Sequence, residues 1–274
     1  MFEVRRQHDR LNEAYGFGLF PAPRYQPASQ GAWRITTHLP GPCDGYLGTV
    51  GVEARTVLKR QREVWMSIGL LEMESHAWHV HCARGGVVTA GLGMGMYVYA
   101  AAMKPEVDLV IAAEISPDII ALMRQAADMD HWPCRDKVKI VEVDVLADDG
   151  RKFAARIDEC TGGRPVDYLY ADIWPNFPAD EAPAQSALMA RALRPKTAGW
   201  WGQELSLAHY CRRESRQVDE ESIRAYFQEL GVPIPGITAG YAAFCRDAIH
   251  ANGMNGRVGL LQRFDAWWRG KTGK

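Results

Sequence analysis

Residues 86–95 read Gly-Val-Val-Thr-Ala-Gly-Leu-Gly-Met-Gly, an apolar run that ends in three glycines at every second position. A stretch of small residues typical of a helix follows, and a second apolar run over residues 107–114 ends on an acid. The order strand, glycine-rich turn, helix, strand predicts a β-α-β unit of the kind that binds a nucleotide-like cofactor. A tight β-α turn without any ligand is the alternative interpretation.

The three glycines and the acid have separate expected roles. Gly91 and Gly93 let the backbone turn sharply and approach a ligand where a Cβ atom would clash. Gly95 lets the start of the helix pack closely against the strand. Glu114 ends the second strand, where a carboxylate can accept hydrogen bonds from a ribose diol.

Strand and helix patterns alternate from residue 86 to residue 205. Further strands are predicted over residues 137–144, 166–172 and 198–205, with helical patterns between them. This alternation predicts an α/β fold, a Rossmann-like, doubly wound and mostly parallel sheet that helices cover on both faces.

The chain before this region has a different character. Residues 1–50 are rich in proline and glycine, with one extended run over residues 32–39, and residues 52–66 suggest a second strand or hairpin. We therefore predict a β-rich N-terminal extension over residues 1–66 and a Rossmann-like domain over residues 67–274 with a helical C-terminal part. Helices are also predicted over residues 70–83, 219–230, 239–251 and 257–269.

The composition and net charge of the chain argue against some classes of binding partner. The chain has 274 residues, of which 47% are hydrophobic, and a formal net charge of −1 without a long basic block. This charge argues against a sequence-independent nucleic-acid binder, and no apolar run is long enough to cross a membrane. Six scattered cysteines without a C-x-x-C motif, and a start without a signal-peptide pattern, predict a cytoplasmic protein with reduced thiols. We expect a small-molecule partner, and a homodimer remains open.

Acids end three successive predicted strands, namely Glu114, Asp144 and Asp172. In an open parallel sheet these strand ends border one crevice, in which ligands bind. A nicotinamide dinucleotide needs the glycines and the first acid but has no regular need for the other two. A sulfonium cofactor with a ribose, an adenine amine and an ammonium group can use all three, because each of those groups donates hydrogen bonds. The pattern favours S-adenosylmethionine and leaves a nicotinamide-dependent oxidoreductase as an alternative.

Four segments carry a family resemblance: residues 87–95, 113–120, 143–145 and 167–174. In these segments the chain resembles the class I S-adenosylmethionine-dependent methyltransferases, and within them the spermidine-synthase-like branch. The helix that carries Glu72 and His76, and the β-rich extension before it, are similar to that branch as well. The resemblance implies a transferase that uses S-adenosylmethionine, most simply a methyltransferase acting on a small molecule.

Two departures from the family pattern bear on the reaction. Thr89 stands where most class I methyltransferases carry an acid before the first glycine, although spermidine synthases often lack this acid too. Residues 173–177 read Ile-Trp-Pro-Asn-Phe and lack the second acid with which aminopropyltransferases hold a diamine. Methyl transfer is therefore favoured, and aminopropyl transfer stays as an alternative. A non-catalytic protein that kept the fold is a further alternative.

The resemblance assigns cofactor roles residue by residue. The three glycines approach the methionine and ribose parts of the cofactor, and Glu114 takes the ribose hydroxyls. Asp144 accepts from the adenine amine, while Ile115 and Val145 pack on the ring. Asp172 faces the reacting centre, where it holds the ammonium group or acts as a base, so it counts as both a cofactor-binding and a catalytic residue. The alternatives are a solvated strand end for Asp144 and a helix cap for Asp172.

The acceptor side is predicted to include four further residues, namely His76, Trp174, Trp201 and Glu204. Trp201 and Glu204 fall in the predicted fifth strand, where aromatic residues followed by polar ones suggest the rim of a pocket. Trp174 is about as well explained as an ordinary core aromatic. We predict no metal site, because no second ligand cluster accompanies the histidines of residues 76–82.

Overall fold

The N-terminal part of the chain forms one helix and two small antiparallel sheets. The computed structural model describes residues 2–38, 41–52 and 55–253. One sheet has four strands in the order β1-β2-β5-β6, and β3 pairs with β4 in a hairpin of its own. The elements are α1 (Phe2–Tyr15), β1 (Ala28–Gln30), β2 (Trp33–His38), β3 (Gly41–Asp44), β4 (Thr49–Val52), β5 (Arg55–Arg60) and β6 (Glu63–Ser67).

Helices and strands then alternate up to β11 (Thr197–Trp200), and three helices follow it within the described chain. Each of the strands after residue 84 is followed by a helix or a short helical turn. The elements are α2 (Leu70–Cys82), β7 (Gly85–Ala90), α3 (Met96–Ala102), β8 (Val107–Glu114), α4 (Pro117–Ala126), β9 (Val138–Glu142), α5 (Arg151–Thr161), β10 (Tyr168–Ala171), α6 (Ala182–Leu193), β11 (Thr197–Trp200), α7 (Gln203–Arg213), α8 (Glu220–Leu230) and α9 (Ala239–Gly253).

The second group of strands forms one parallel sheet in the order β11-β10-β7-β8-β9. This confirms the predicted α/β fold. The strands are almost continuous apolar runs because helices cover both faces; all of β10 is buried, and β8 exposes only Asp108. The chain runs outward through β7, β8 and β9 and then returns to add β10 on the other side of β7. The strand order therefore reverses between β7 and β10, which is where such sheets bind ligands.

Side chains cap the starts of α4 and α8. Ser116 caps α4, with its hydroxyl accepting from the backbone nitrogen of Ile119, and Pro117 occupies the first turn. Asp219 caps α8 in the same way through the backbone nitrogen of Ser222. In the extension, the predicted strand over residues 32–39 corresponds to β2, and residues 52–66 contain the β5-β6 hairpin.

The predicted fifth strand is too long, and this prediction is wrong beyond Trp200. Gly202 turns the chain with a φ of 81°, and Gln203 and Glu204 begin α7. The side chain of Gln203 accepts a hydrogen bond from the backbone nitrogen of Trp200 at 3.1 Å, which closes this turn. The predicted strand over residues 137–144 likewise is shorter: β9 ends at Glu142, two residues before Asp144.

Helix α1 was not predicted, because its packing partner lies at the other end of the described chain. Leu11 is buried, and the hydroxyl of Tyr15 donates to Asp247 in α9 at 2.7 Å. The N-terminal extension that was predicted to be β-rich thus also contains a helix. The domain boundary after residue 66 stays a prediction. The helix predicted over residues 257–269 lies outside the described residues. Within the described ranges, no helix combines the length and apolar character needed to cross a membrane.

Candidate functional site

The glycine loop joins β7 to α3 and passes directly against the end of β10. Gly91 has a φ of 98°, and a Cβ atom there would lie 2.0 Å from the backbone oxygen of Asp172. The absence of a side chain at Gly91 therefore lets two backbone segments meet, and its predicted role toward the cofactor stays a prediction. The contact brings Asp172 beside the loop.

Gly93 faces a side chain of the N-terminal extension. Its φ is 51°, and a Cβ atom there would lie 2.9 Å from the sulfur of Met66 in β6. The extension also contacts the next residue of the loop, because the hydroxyl of Tyr25 donates to the backbone oxygen of Met94 at 2.8 Å. The space beyond Gly93 was expected to be open to a ligand, but the structure places the Met66 side chain at its edge. Gly95 caps α3, where an added Cβ would lie 3.0 Å from the ring of Trp132.

Glu114 binds the backbone on both sides of it. One carboxylate oxygen accepts from the backbone nitrogen of Leu92 in the glycine loop at 3.0 Å, and the other accepts from Ser116 at 2.9 Å. The side chain is largely buried. An ionised carboxylate has about four acceptor positions, so two remain for a ribose diol. Glu114 therefore holds the loop in addition to its predicted role toward the ribose.

The predicted adenine site combines an exposed acid with apolar side chains. Asp144 is exposed and accepts a hydrogen bond from the backbone nitrogen of Leu146 at 3.0 Å. Val145 is buried, whereas Ile115 is 63% exposed although it is large and apolar. An exposed isoleucine directly after Glu114 is the arrangement expected if an aromatic ring packs there. The roles of these three residues stay predictions.

Asp172 and His76 are in direct contact. The Nε2 atom of His76 lies 3.1 Å from a carboxylate oxygen of Asp172, whose side chain is 23% exposed. His76 itself is 1% exposed, and its Nδ1 atom lies 2.7 Å from the backbone oxygen of Glu72 one turn earlier in α2. His76 was predicted to contact substrate, but the structure places it behind Asp172.

The charges of this cluster are coupled. Burial by itself lowers the pKa of His76, but the hydrogen bond to Asp172 and the charges of Asp172 and Glu72 outweigh it, so the pKa is raised. Burial raises the pKa of Glu72 to about 8, against the opposing charge of His76. These contacts therefore favour the protonated form of His76 beside Asp172, while Glu72 keeps its proton at neutral pH.

The two predicted tryptophans are largely buried. The indole nitrogen of Trp201 donates to the hydroxyl of Ser75 at 2.9 Å, and its ring lies 4.3 Å from the ring of Phe177, centroid to centroid. The indole nitrogen of Trp174 donates to the side chain of Gln185 at 2.6 Å. Trp201 lies beside His76 with ring centroids 6.4 Å apart, so it belongs to the same cluster. Trp174 fits the core-aromatic interpretation better than a wall of the pocket.

Glu204 is fully enclosed, so the prediction that it lies on a pocket rim is wrong. One carboxylate oxygen accepts from the hydroxyl of Tyr46 at 2.9 Å and the other from the hydroxyl of Tyr241 at 2.7 Å. Burial raises the pKa of Glu204 to about 7, although both hydroxyls oppose the shift. The cause of the error is the helix start at Gln203, which turns this side chain into the core instead of toward the strand ends.

The histidines of α2 have separate partners. His79 is fully buried, with Nδ1 2.8 Å from the hydroxyl of Tyr168, and His81 stacks on Trp78. In the part of the chain that the structure describes, no group of three or more His, Cys, Asp or Glu residues could hold a metal ion.

Sequence reasoning singled out Glu72 and His76 in one helix, where their spacing of four residues places both on one face. It missed Tyr46, another member of these clusters. Tyr46 had no local signal. It lies in the β3-β4 turn, and Glu74 accepts hydrogen bonds from its backbone nitrogen at 2.6 Å and from that of Leu47 at 3.0 Å.

Comparisons with known proteins found similarity to solved structures. No family model matches the sequence, and no curated protein matches it significantly. Among solved structures, the chain is similar to an S-adenosylmethionine-dependent methyltransferase from Geobacter sulfurreducens in complex with S-adenosylhomocysteine, with 15% identity and a TM-score of 0.34 over 68% of this chain and 77% of that one.

Two other solved structures are similar in the same sense. One is a spermidine synthase in complex with a transition-state analogue, with 14% identity and a TM-score of 0.36 over 67% of this chain and 57% of that one. The other is the methyltransferase domain of the bacterial protein CtHen1-C, with 12% identity and a TM-score of 0.34 over 53% of this chain and 73% of that one.

Proposed function

We propose that this protein is an S-adenosylmethionine-dependent transferase that methylates a small molecule. What supports the proposal is the placement of three acids around the glycine loop. β7, which leads into the loop, lies between β10 and β8, and β9 follows β8 in the sheet. Glu114 ends β8, Asp144 follows β9 and Asp172 follows β10, so all three lie at the same edge of the sheet. Each acid can serve one hydrogen-bond donor group of the cofactor.

The residues present fit this cofactor. Glu114 keeps acceptor positions for the ribose, Asp144 is exposed for the adenine amine, and Ile115 offers an uncovered apolar side chain to the ring. Asp172 holds His76 with one oxygen, and the other has no hydrogen-bond partner among the described residues. That second oxygen is available to the cofactor's ammonium group or to the acceptor.

The protein's contribution to methyl transfer is mainly positioning. When bound, S-adenosylmethionine supplies a methyl group that its sulfonium already activates. The chain has to align the acceptor with that group and exclude water from the line of approach. If the acceptor arrives protonated, the free oxygen of Asp172 is the group that takes the proton.

Aminopropyl transfer is the second candidate. The antiparallel strands that precede α2 favour it, because this arrangement is the one that suggested the spermidine-synthase-like branch. The segment after Asp172 counts against it, since residues 173–177 contain no acid that could hold a diamine. A nicotinamide-dependent oxidoreductase is disfavoured because it has no regular use for Asp144 and Asp172.

Isothermal titration with S-adenosylmethionine, S-adenosylhomocysteine and NAD tests the cofactor. We expect both sulfur compounds to bind and NAD not to bind. The variant Asp144→Ala should weaken the binding of S-adenosylhomocysteine. Asp136→Ala is the matched control, because Asp136 is an exposed acid that precedes the opposite end of the same strand β9. Binding of NAD alone would overturn the proposal.

A further inference from the structure

We propose that His76 is a buried cation that orients and neutralises Asp172, which makes it a positioning residue and not a substrate ligand. The role toward the reacting centre rests on the proposed function, which places Asp172 there. The ion pair itself rests on the hydrogen-bond geometry of the two residues.

Hydrogen-bond accounting determines the protonation of the pair. Nδ1 of His76 lies 2.7 Å from the backbone oxygen of Glu72, and a carbonyl oxygen can only accept, so Nδ1 carries a hydrogen. A neutral imidazole protonated there would present the lone pair of Nε2 to the carboxylate of Asp172 at 3.1 Å. Two acceptors would then face each other. A second hydrogen on Nε2 removes this conflict and makes the contact a charge-assisted hydrogen bond.

The surroundings of His76 favour the cation. The tyrosines are neutral because burial raises their pKa far above neutrality, and burial lowers the pKa of His79 so that it is neutral too. The titratable groups around His76 are Glu72, Asp172, Tyr97, Tyr170, His79 and Glu204. Of these, Asp172 is the one whose side chain hydrogen-bonds to the ring of His76.

The ion pair has two consequences for the site. One oxygen of Asp172 is fixed against His76, so the other has a defined direction. The negative charge of Asp172 is balanced by a cation 3.1 Å away, so the site does not depend on an uncompensated anion to bind a positively charged cofactor. Removing the side chain of His76 should therefore change the affinity of the site for a positively charged ligand relative to a neutral one.

Nitrogen NMR of the imidazole side chains tests the ion pair without any ligand. At pH 8 we expect one histidine with both ring nitrogens protonated, and its signal should be absent in His76→Gln. In Asp172→Asn the same histidine should become neutral, because its counter-charge is lost. The exposed pair His131 and Asp128 is the matched control, with Nδ1 and the carboxylate 2.6 Å apart and side chains 79% and 70% exposed. His131 should be neutral at pH 8 in the wild type and in Asp128→Asn, because solvent screens exposed pairs.

A neutral His76 at pH 8 in the wild-type protein would overturn the proposal. Asp172→Asn keeps the shape of the side chain at a partly exposed position, so it provides the assignment even if the buried substitution His76→Gln prevents folding. A signal that stays protonated in Asp172→Asn would overturn the proposal as well, because some other group would then stabilise the cation.

Charge discrimination between two ligands tests the neutralising role. S-adenosylmethionine carries a positive charge on its sulfur, and S-adenosylhomocysteine does not. In His76→Gln the affinity for the charged compound relative to the neutral one should rise about fivefold, the scale of one unit charge acting across 4 Å of water. An unchanged ratio would overturn the neutralising role. If neither compound binds the wild type, the proposed function fails, and the NMR result at pH 8 still decides the ion pair.

Discussion

The carboxylate of Glu114 accepts a hydrogen bond from the backbone nitrogen of Leu92 at 3.0 Å, which ties the end of β8 to the middle of the glycine loop. Its second oxygen accepts from Ser116, at the start of α4. One side chain thus holds the two segments between which the cofactor is proposed to bind. An acid that looks in sequence like a ribose ligand also determines the shape of the loop.

Glu114→Ala should therefore weaken both cofactor binding and the fold. We expect a loss of roughly 1.5–3 kcal/mol in the binding of S-adenosylhomocysteine, the usual scale for hydrogen bonds to a charged group. The free energy of unfolding, measured with urea, should fall as well. Glu142→Ala is the matched control, because Glu142 is exposed and pairs with Glu114 in the register of β8 and β9. An unchanged dissociation constant would mean that Glu114 has no part in binding.

Gly91→Ala should destabilise the fold more than the same change at a free glycine. Its Cβ would lie 2.0 Å from the backbone oxygen of Asp172, and backbone cannot move aside as a side chain can. Gly162 has a φ of 63° but no atom within 4 Å of an added Cβ, so Gly162→Ala reports the cost of the backbone conformation alone. Urea unfolding should show about 1–3 kcal/mol more destabilisation for Gly91→Ala. Equal losses would mean that the loop does not pack against β10 as described.

The contact between Gly93 and Met66 should appear as coupling between two substitutions. Gly93→Ala adds a Cβ atom 2.9 Å from the sulfur of Met66, so it should lower the free energy of unfolding. Met66→Ala in the same chain should restore part of this loss, because it removes the atoms that clash. A double-mutant cycle in urea measures the coupling, expected to be about 0.5–3 kcal/mol. Strict additivity would show that the extension does not contact the loop.

Ile115→Ala should lower the affinity for the cofactor but hardly change the free energy of unfolding. Ile115 is 63% exposed, so its truncation should change the free energy of unfolding by less than about 0.5 kcal/mol. If the adenine ring packs on it, the affinity for S-adenosylhomocysteine should fall by roughly 1 kcal/mol. Val64→Ala is the control, since Val64 is 56% exposed in the antiparallel sheet. The same small effect on affinity in both variants would argue against the predicted adenine site.

Glu204 should make stability depend on pH. Burial raises the pKa of Glu204 from 4.5 to about 7, so the folded state holds its proton more tightly than the unfolded state. The stabilising contribution of the protonated form is fully present below pH 4.5 and is lost as the pH rises to about 7, by roughly 3 kcal/mol. Glu204→Gln should remove this part of the slope in urea unfolding from pH 4.5 to 8, whereas Glu221→Gln, at an exposed acid, should not. Identical slopes in Glu204→Gln and the wild type would show that Glu204 is ionised in the fold at both ends of this range.

Local patterns along the chain predicted most of the sheet edge at which the cofactor is proposed to bind. The apolar runs of β7, β8 and β10, the glycines between β7 and α3, and the cap at Ser116 are each visible within a few neighbouring residues. Because parallel strands place their carboxyl ends at one edge, the order of these elements already brought Glu114, Asp144 and Asp172 to the same side. The sheet order of the structure agrees with this arrangement.

The sequence by itself thus determined the α/β class, the position of the glycine loop and the edge where the acids gather, because all three depend on short-range periodicity and turn chemistry. Only the tertiary structure decided that His76 faces Asp172 across 96 positions, and that Tyr46 and Tyr241 enclose Glu204. The physical reason is that a buried polar group is stabilised by whichever partner the fold brings within hydrogen-bonding distance. No periodicity along the chain encodes that partner, so a carboxylate that looks like a pocket rim in sequence can lie fully enclosed in the core.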